Sequence, residues 1–252
     1  MRTEYAPDGL VGVAVPQANP IVELELRLLL PPGVGLLATR LVSTAAEPAD
    51  RLRDYAAGLP AAVASFDTAP VRAVGFACTA ASYLLGPERE ASTFAAASRS
   101  AGYPVVSATG AVAAALSALG ARRVALVTPY PPTLDDAATD YWTERGVRVV
   151  ARHKVPVAGP DTRAIYAQPG SAATAAVAAT RRDDVDAVLV SGTGLPSLEA
   201  IRTTSATPPV LSSNLCLAWE LLLRLGREPL GGPESPLLGG WAGRLAAVEA
   251  GP

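Results

Sequence analysis

"VRAVGFACTAASYL" (71–84) and "VDAVLVSGTGLPSL" (185–198) are two versions of one pattern, set 114 positions apart (185 − 71 = 114). In each, a short apolar run ends in small and hydroxyl residues, and a stretch of helical length follows. The likeness extends outward on both sides. "VGVAVP" from Val11 pairs with "VALVTP" from Val124 (124 − 11 = 113), and "PVVSATG" from Pro104 pairs with "PVLSSNL" from Pro209 (209 − 104 = 105). Three matched segments in the same order read as an internal duplication.

Eight such runs occur, at 10–16, 33–39, 71–77, 104–107, 123–129, 147–152, 185–191 and 209–213, each followed by Ala- and Leu-rich sequence. Strands alternating with helices predict parallel sheets covered on both faces. The expected fold is α/β, with two pseudo-symmetric Rossmann-like lobes, each a four-stranded parallel sheet. The helix-like stretches 109–120 and 214–226 follow the fourth strand of each lobe and carry the chain across and back. Lobe one is therefore expected to comprise 1–108 plus 214–252, and lobe two 109–213. Parallel sheets bind ligands beyond the C-terminal ends of their strands, so the site should lie in the cleft between the lobes.

Bulk composition narrows the function. Half of the 252 residues are hydrophobic, 17% are charged, and the formal charge is −2 without blocks of like charge. That balance argues against nucleic-acid and anionic-membrane partners, which require clustered Lys and Arg. The apolar runs fall far short of the roughly 20 residues of a membrane span. No basic stretch leads into an apolar one at the N-terminus, so a cytoplasmic protein is expected. In a reducing compartment Cys78 and Cys216 are expected to be thiols. With His153 as the single histidine, they cannot complete a four-ligand zinc site.

Cys78 and Gly192 occupy the same place in the repeat, after the third strand of each lobe. The reading places both at the start of a helix and facing each other across the cleft. Amide donors at a helix N-terminus would lower the pKa of the thiol. Thr79 and Thr193, one residue on, can donate to a carboxylate or an enediolate-like oxyanion. The alternative is that Cys78 is a small core residue, as most free cysteines are.

These stretches resemble the aspartate/glutamate racemase superfamily, in its branch of maleate cis–trans isomerases and arylmalonate decarboxylases. The likeness rests on "ACTAAS" and "SGTGLPSL", supported by "VPQANPIVELE", "LLATRLV", "LVTPY" and "PVLSSNLCLAWELLLRLG" in that order. In that family the isomerases carry Cys at both equivalent positions, and the decarboxylases carry Gly then Cys. This chain has the reverse, Cys78 then Gly192. Two-base racemisation is disfavoured, because Gly192 has no side chain to serve the second face of the substrate carbon.

The resemblance implies a cofactor-independent enzyme acting on a small carboxylate or dicarboxylate, and a homo-oligomer. It implies Cys78 as the nucleophile that adds to a cis-enedioate, or as the proton donor of a decarboxylase with inverted product stereochemistry. A carboxylate-binding protein without turnover is a third reading. Asn19 and Tyr130 match substrate-contacting positions of the family, joined by Thr79, Gly192 and Thr193. Asn19 also reads as a helix cap and Tyr130 as a loop aromatic. Arg40 reads as a carboxylate partner or a salt bridge, Cys216 as packing, and His153 as a surface residue.

Overall fold

The computed structural model describes residues 3–180, 183–204, 207–229 and 231–251. The first sheet contains β1 (Gly9–Pro16), β2 (Val34–Leu41), β3 (Val71–Phe76) and β4 (Val105–Ser107), in the order β2-β1-β3-β4. The second contains β5 (Arg123–Thr128), β6 (Arg148–Lys154), β7 (Ala187–Val190) and β8 (Val210–Ser212), in the order β6-β5-β7-β8. Every pairing is parallel. The two sheets thus have one topology, as the repeat predicts.

Helices α1 (Ile21–Leu29), α2 (Pro48–Ala57), α3 (Leu59–Ala64), α4 (Thr79–Leu85) and α5 (Pro87–Ala101) lie among the first four strands. Helix α6 (Ala108–Ala118) leads into β5; α7 (Pro132–Glu144), α8 (Gly170–Ala179) and α9 (Leu198–Thr203) follow. The chain continues after β8 with α10 (Ser213–Arg224) and α11 (Ala242–Glu249). Among the described residues, no helix is long and apolar enough to cross a membrane.

The central strands β1, β3, β5 and β7 are buried along almost their whole length, which is why they read as near-continuous apolar runs. Two adjacent rows of the first sheet show its two covered faces. A methyl on Gly12 would strike Phe66, just beyond α3, whereas one on Gly75 would meet Leu217 Cδ1 of α10 at 3.0 Å. Gly12 pairs with Val74, and Gly75 is the next residue along, so the two point to opposite sides. Leu217 is fully buried, worth about 1.5–3 kcal/mol by transfer of its side chain out of water. Helix α10 therefore packs on the first sheet although it follows the last strand of the second.

In this strand order the chain leaves β1 toward β2 and then crosses back over β1 to β3. The loops after β1 and β3 diverge and leave a crevice at their C-terminal ends. The same holds for β5 and β7. Four loops, two from each lobe, consequently face one another.

Candidate active site

Those four loops carry Asn19, Cys78, Tyr130 and Gly192–Gly194, and all border one cavity, joined by Arg51 and Tyr55 of α2 and by Thr162 and Tyr166 of a short 3₁₀ helix (Thr162–Ala167). All six residues singled out from sequence, Thr79 and Thr193 among them, are thus brought together. The space between them is about 30 Å³, enough for a water molecule or two, so anything larger requires the lining to open. A wider crevice of about 1030 Å³ lies at the N-terminal edge of the first sheet, around Asp8, Arg72 and Arg227, away from these residues.

Cys78 stands immediately before α4, with the amides of Ala80 and Ala81 directed at its sulfur. Those amides favour the thiolate, as the position in the sequence predicts. The net effect is the reverse of the expected lowering: burial pushes the thiol up to about 12. The side chain is only 4% exposed, and desolvation of a charged sulfur outweighs two N–H donors. The thiol is stored protonated, and the two amides reduce the cost of ionising it when attack begins.

The hydroxyl groups of the site bond across the cleft. Thr79 Oγ1 and Tyr130 Oη are 2.6 Å apart, and Thr193 Oγ1 donates to the Ala77 carbonyl at 2.7 Å. Deeper in, Tyr83 Oη lies 2.6 Å from Ser191 Oγ and accepts from Trp142 Nε1 at 3.2 Å. Burial holds the Tyr130 phenol well above its ordinary range, so it remains a donor at any working pH.

Gly192 departs from the symmetric picture. The helix after β7 begins only at Leu198, because Pro196 restricts the residue before it to extended backbone; Gly192 is therefore in a loop and not at a helix start. Its φ is +113°, a region that glycine enters freely and L-residues avoid. A Cβ there would sit 3.2 Å from Pro129 Cγ and 3.4 Å from Tyr130 Oη. The second wall is shaped for glycine, and a thiol could not be added to it without moving Tyr130 or the loop.

Asn19 performs the capping role open to it, its Oδ1 accepting from the amides of Ile21 (2.9 Å) and Val22 (3.4 Å), while its Nδ2 lies on the cavity side near Gly194. Behind it, Glu25 of α1 is buried and reaches the second lobe. Its carboxylate accepts from Ser197 N at 2.6 Å, Ser197 Oγ at 3.0 Å and Asn214 Nδ2 at 2.8 Å, and Asn214 Nδ2 also donates to the Thr193 carbonyl at 3.0 Å. Burial raises the Glu25 pKa against the pull of these donors. This cluster ties the loop carrying Thr193 to the helix that Asn19 caps.

Arg40 forms the salt bridge rather than a cavity contact, with Nη2 2.5 Å from Glu23 Oε2 and Nη1 donating to the Asn19 carbonyl at 3.3 Å. Cys216 is fully buried within α10, where burial raises its pKa. His153 Nε2 lies 2.8 Å from the Ala179 carbonyl, away from the site. Sequence reading missed Arg51, Tyr55, Tyr166 and Glu25. Arg51 carries a buried guanidinium, 2% exposed, bonded to Asp161 Oδ1 at 2.6 Å.

Residues 11–237 match the family model described as arylmalonate decarboxylase. A maleate isomerase of Nocardia farcinica is 30% identical over 227 residues, 85% of this chain and 89% of that protein. The structure of a cysteine-to-serine variant of the N. farcinica maleate cis–trans isomerase, with a covalently bound succinylcysteine intermediate, is 28% identical. It superposes with a TM-score of 0.81 over 90% of this chain and 96% of that one. A cysteine-to-alanine variant of the Pseudomonas putida S16 maleate isomerase, solved with maleate, is 26% identical, with a TM-score of 0.81 over 90% and 95%. The duplicated parallel sheets, the cysteine at the end of β3 and these likenesses agree: the chain belongs to the arylmalonate decarboxylase family, in the branch of the aspartate/glutamate racemase superfamily that holds the maleate isomerases and the arylmalonate decarboxylases.

Proposed function

We infer that the protein is a cofactor-independent cis–trans isomerase of a maleate-like dicarboxylate, with Cys78 as its nucleophile. The observation that carries this reading is the placement of one thiol, backed by two amides, in a cavity whose other polar groups are neutral donors and a single guanidinium. The relative with a succinylcysteine supports it, since that adduct forms in a protein with one cysteine replaced.

In the proposed reaction the Cys78 thiol loses its proton to solvent, to be regained when the thiolate is released at the end of the cycle, and the thiolate sulfur bonds to one olefinic carbon. The π pair moves to the neighbouring carbon and into its carboxylate, giving an enediolate. Thr79 and Tyr130 are the donors placed to receive that charge, and Thr193 joins them by turning its hydroxyl from the Ala77 carbonyl. The former double bond, now single, rotates; the pair returns, the double bond reforms and the carbon–sulfur bond breaks. Atoms and charge are restored with no redox step. Asn19 is assigned to hold a carboxylate, and Gly192 leaves the opposite face without a side chain. Two unpaired thiols suit a cytoplasmic location, and the family resemblance supports a homo-oligomer.

The direct test is conversion of maleate to fumarate by the native protein, followed by proton NMR, beside carbon dioxide release from phenylmalonate. Fumarate without carbon dioxide is the expected result; the opposite outcome would move the protein to the decarboxylases. Because the thiol is protonated in the free enzyme, whose pKa values govern kcat/KM, kcat/KM should rise about tenfold per pH unit from about pH 7 to about pH 9, without a plateau.

A further inference from the structure

We propose that Arg51 is the receptor for the substrate's second carboxylate, which it takes in exchange for Asp161 of the other lobe. The identity of the acid rests on the isomerase reading; the exchange itself does not.

Arg51 is the one charged residue among those described around the Cys78 cavity. A guanidinium cannot shed its charge, so burial to 2% exposure requires an anion beside it. Among the described residues, its five N–H groups make two hydrogen bonds, Nη2 to Asp161 Oδ1 at 2.6 Å and Nη1 to the Ala46 carbonyl at 3.4 Å. The rest of a planar fork suited to a carboxylate is uncommitted.

Asp161 can be released without stranding a charge. Its Oδ2 is held by Arg163 through Nε at 3.0 Å and Nη2 at 2.6 Å, and about a third of its side chain is exposed. A carboxylate that displaced it from Arg51 would therefore leave an Asp161–Arg163 pair at the surface. The exchange would also loosen the 3₁₀ helix that Asp161 caps through the Arg163 amide at 2.9 Å. That segment carries Thr162 and Tyr166 over the cavity, which is where room must be made.

Cys78, the paired hydroxyls of Thr79 and Tyr130, and Arg51 with Tyr55 and Tyr166 all line the same cavity. A short acid with a carboxylate at each end could thus set one on the neutral hydroxyl donors and the other on Arg51, with the carbons between them beside Cys78. The preference expected is for dianions over monoanions of the same length.

Calorimetric binding of succinate and butanoate tests this without chemistry, since neither has a double bond to attack. The native protein should bind succinate at least about tenfold more tightly than butanoate. Arg51→Gln should weaken succinate by about 10- to 100-fold, the loss of a charge-assisted hydrogen-bonded pair, and move butanoate less than about twofold. Asp161→Asn, which keeps the cap and removes the competing charge, should tighten succinate by about 3-fold or more. This second variant keeps the proposal testable if Arg51→Gln does not fold. Equal loss of both acids in Arg51→Gln, unchanged succinate binding, or weaker succinate binding in Asp161→Asn would overturn it. If maleate gives no fumarate while the succinate preference follows this pattern, the isomerase reading falls and the role of Arg51 stands.

Discussion

Cys78→Ala is expected to lower kcat for maleate-to-fumarate conversion by about 10⁴-fold or more, the scale on which removal of a covalent nucleophile acts. The reaction as written has one bond-forming group. Tyr130 is held protonated by burial, and Gly192 offers no side chain, so neither replaces a missing sulfur. The substitution removes one atom from a wall that already has water-sized space beside it, and Tm should move by no more than a few degrees for a loss of about 1 kcal/mol. Cys216→Ala is the control for loss of a thiol as such. That residue is fully buried in α10, away from the cavity, and its replacement should cost stability while leaving kcat within about twofold. Comparable loss of kcat in both variants would mean that Cys78 acts through packing.

Tyr130→Phe is expected to lower kcat by about 10²-fold with KM changed far less, the signature of a donor used mainly in the transition state. The ring keeps its edge-on contact with Tyr83, at 6.1 Å between centroids, so the core around it is retained. What is lost is the Oη that pairs with Thr79, one of the groups placed to meet charge developing on the carboxylate. Thr79→Val should fall in the same range. The double variant should lose less than the product of the two single effects, because the two hydroxyls share a hydrogen bond. A Tyr130→Phe enzyme with native kcat and a lowered Tm would assign the phenol to the fold alone.

How much of this was legible in sequence depends on which force sets each feature. The strands at the sheet centres were readable because burial on both faces demands uninterrupted apolar runs, and the duplication supplied each run a counterpart. Two of the outer strands were read short: β2 runs past Thr39 to Leu41, and β6 past Arg152 through His153 to Lys154. Both lie at sheet edges, where exposure admits polar residues and the apolar signal ends before the hydrogen bonding does. Cys78, Thr79, Gly192 and Thr193 were singled out because parallel topology sends strand ends to one place, Asn19 and Tyr130 through the family resemblance, and the structure sets all six around one cavity. Arg51, Tyr55 and Tyr166 enter from the side, on α2 and the 3₁₀ helix. Arg51 meets Asp161 from 110 positions away, a pairing for which the local sequence carries no signal. The direction of the Cys78 shift was misread for a related reason, since the helix start is a local feature and depth of burial belongs to the assembled lobes.

The central claim is that the Cys78 sulfur bonds to the substrate carbon. Its most direct test is to quench the native enzyme in acid during turnover of maleate and to weigh the peptides bearing Cys78 and Cys216. The Cys78 peptide should gain the mass of one maleic acid, the Cys216 peptide should not, and the gain should disappear once maleate is exhausted. Steady production of fumarate with the Cys78 peptide unmodified at every time of quenching, or with the added mass on Cys216, would contradict it.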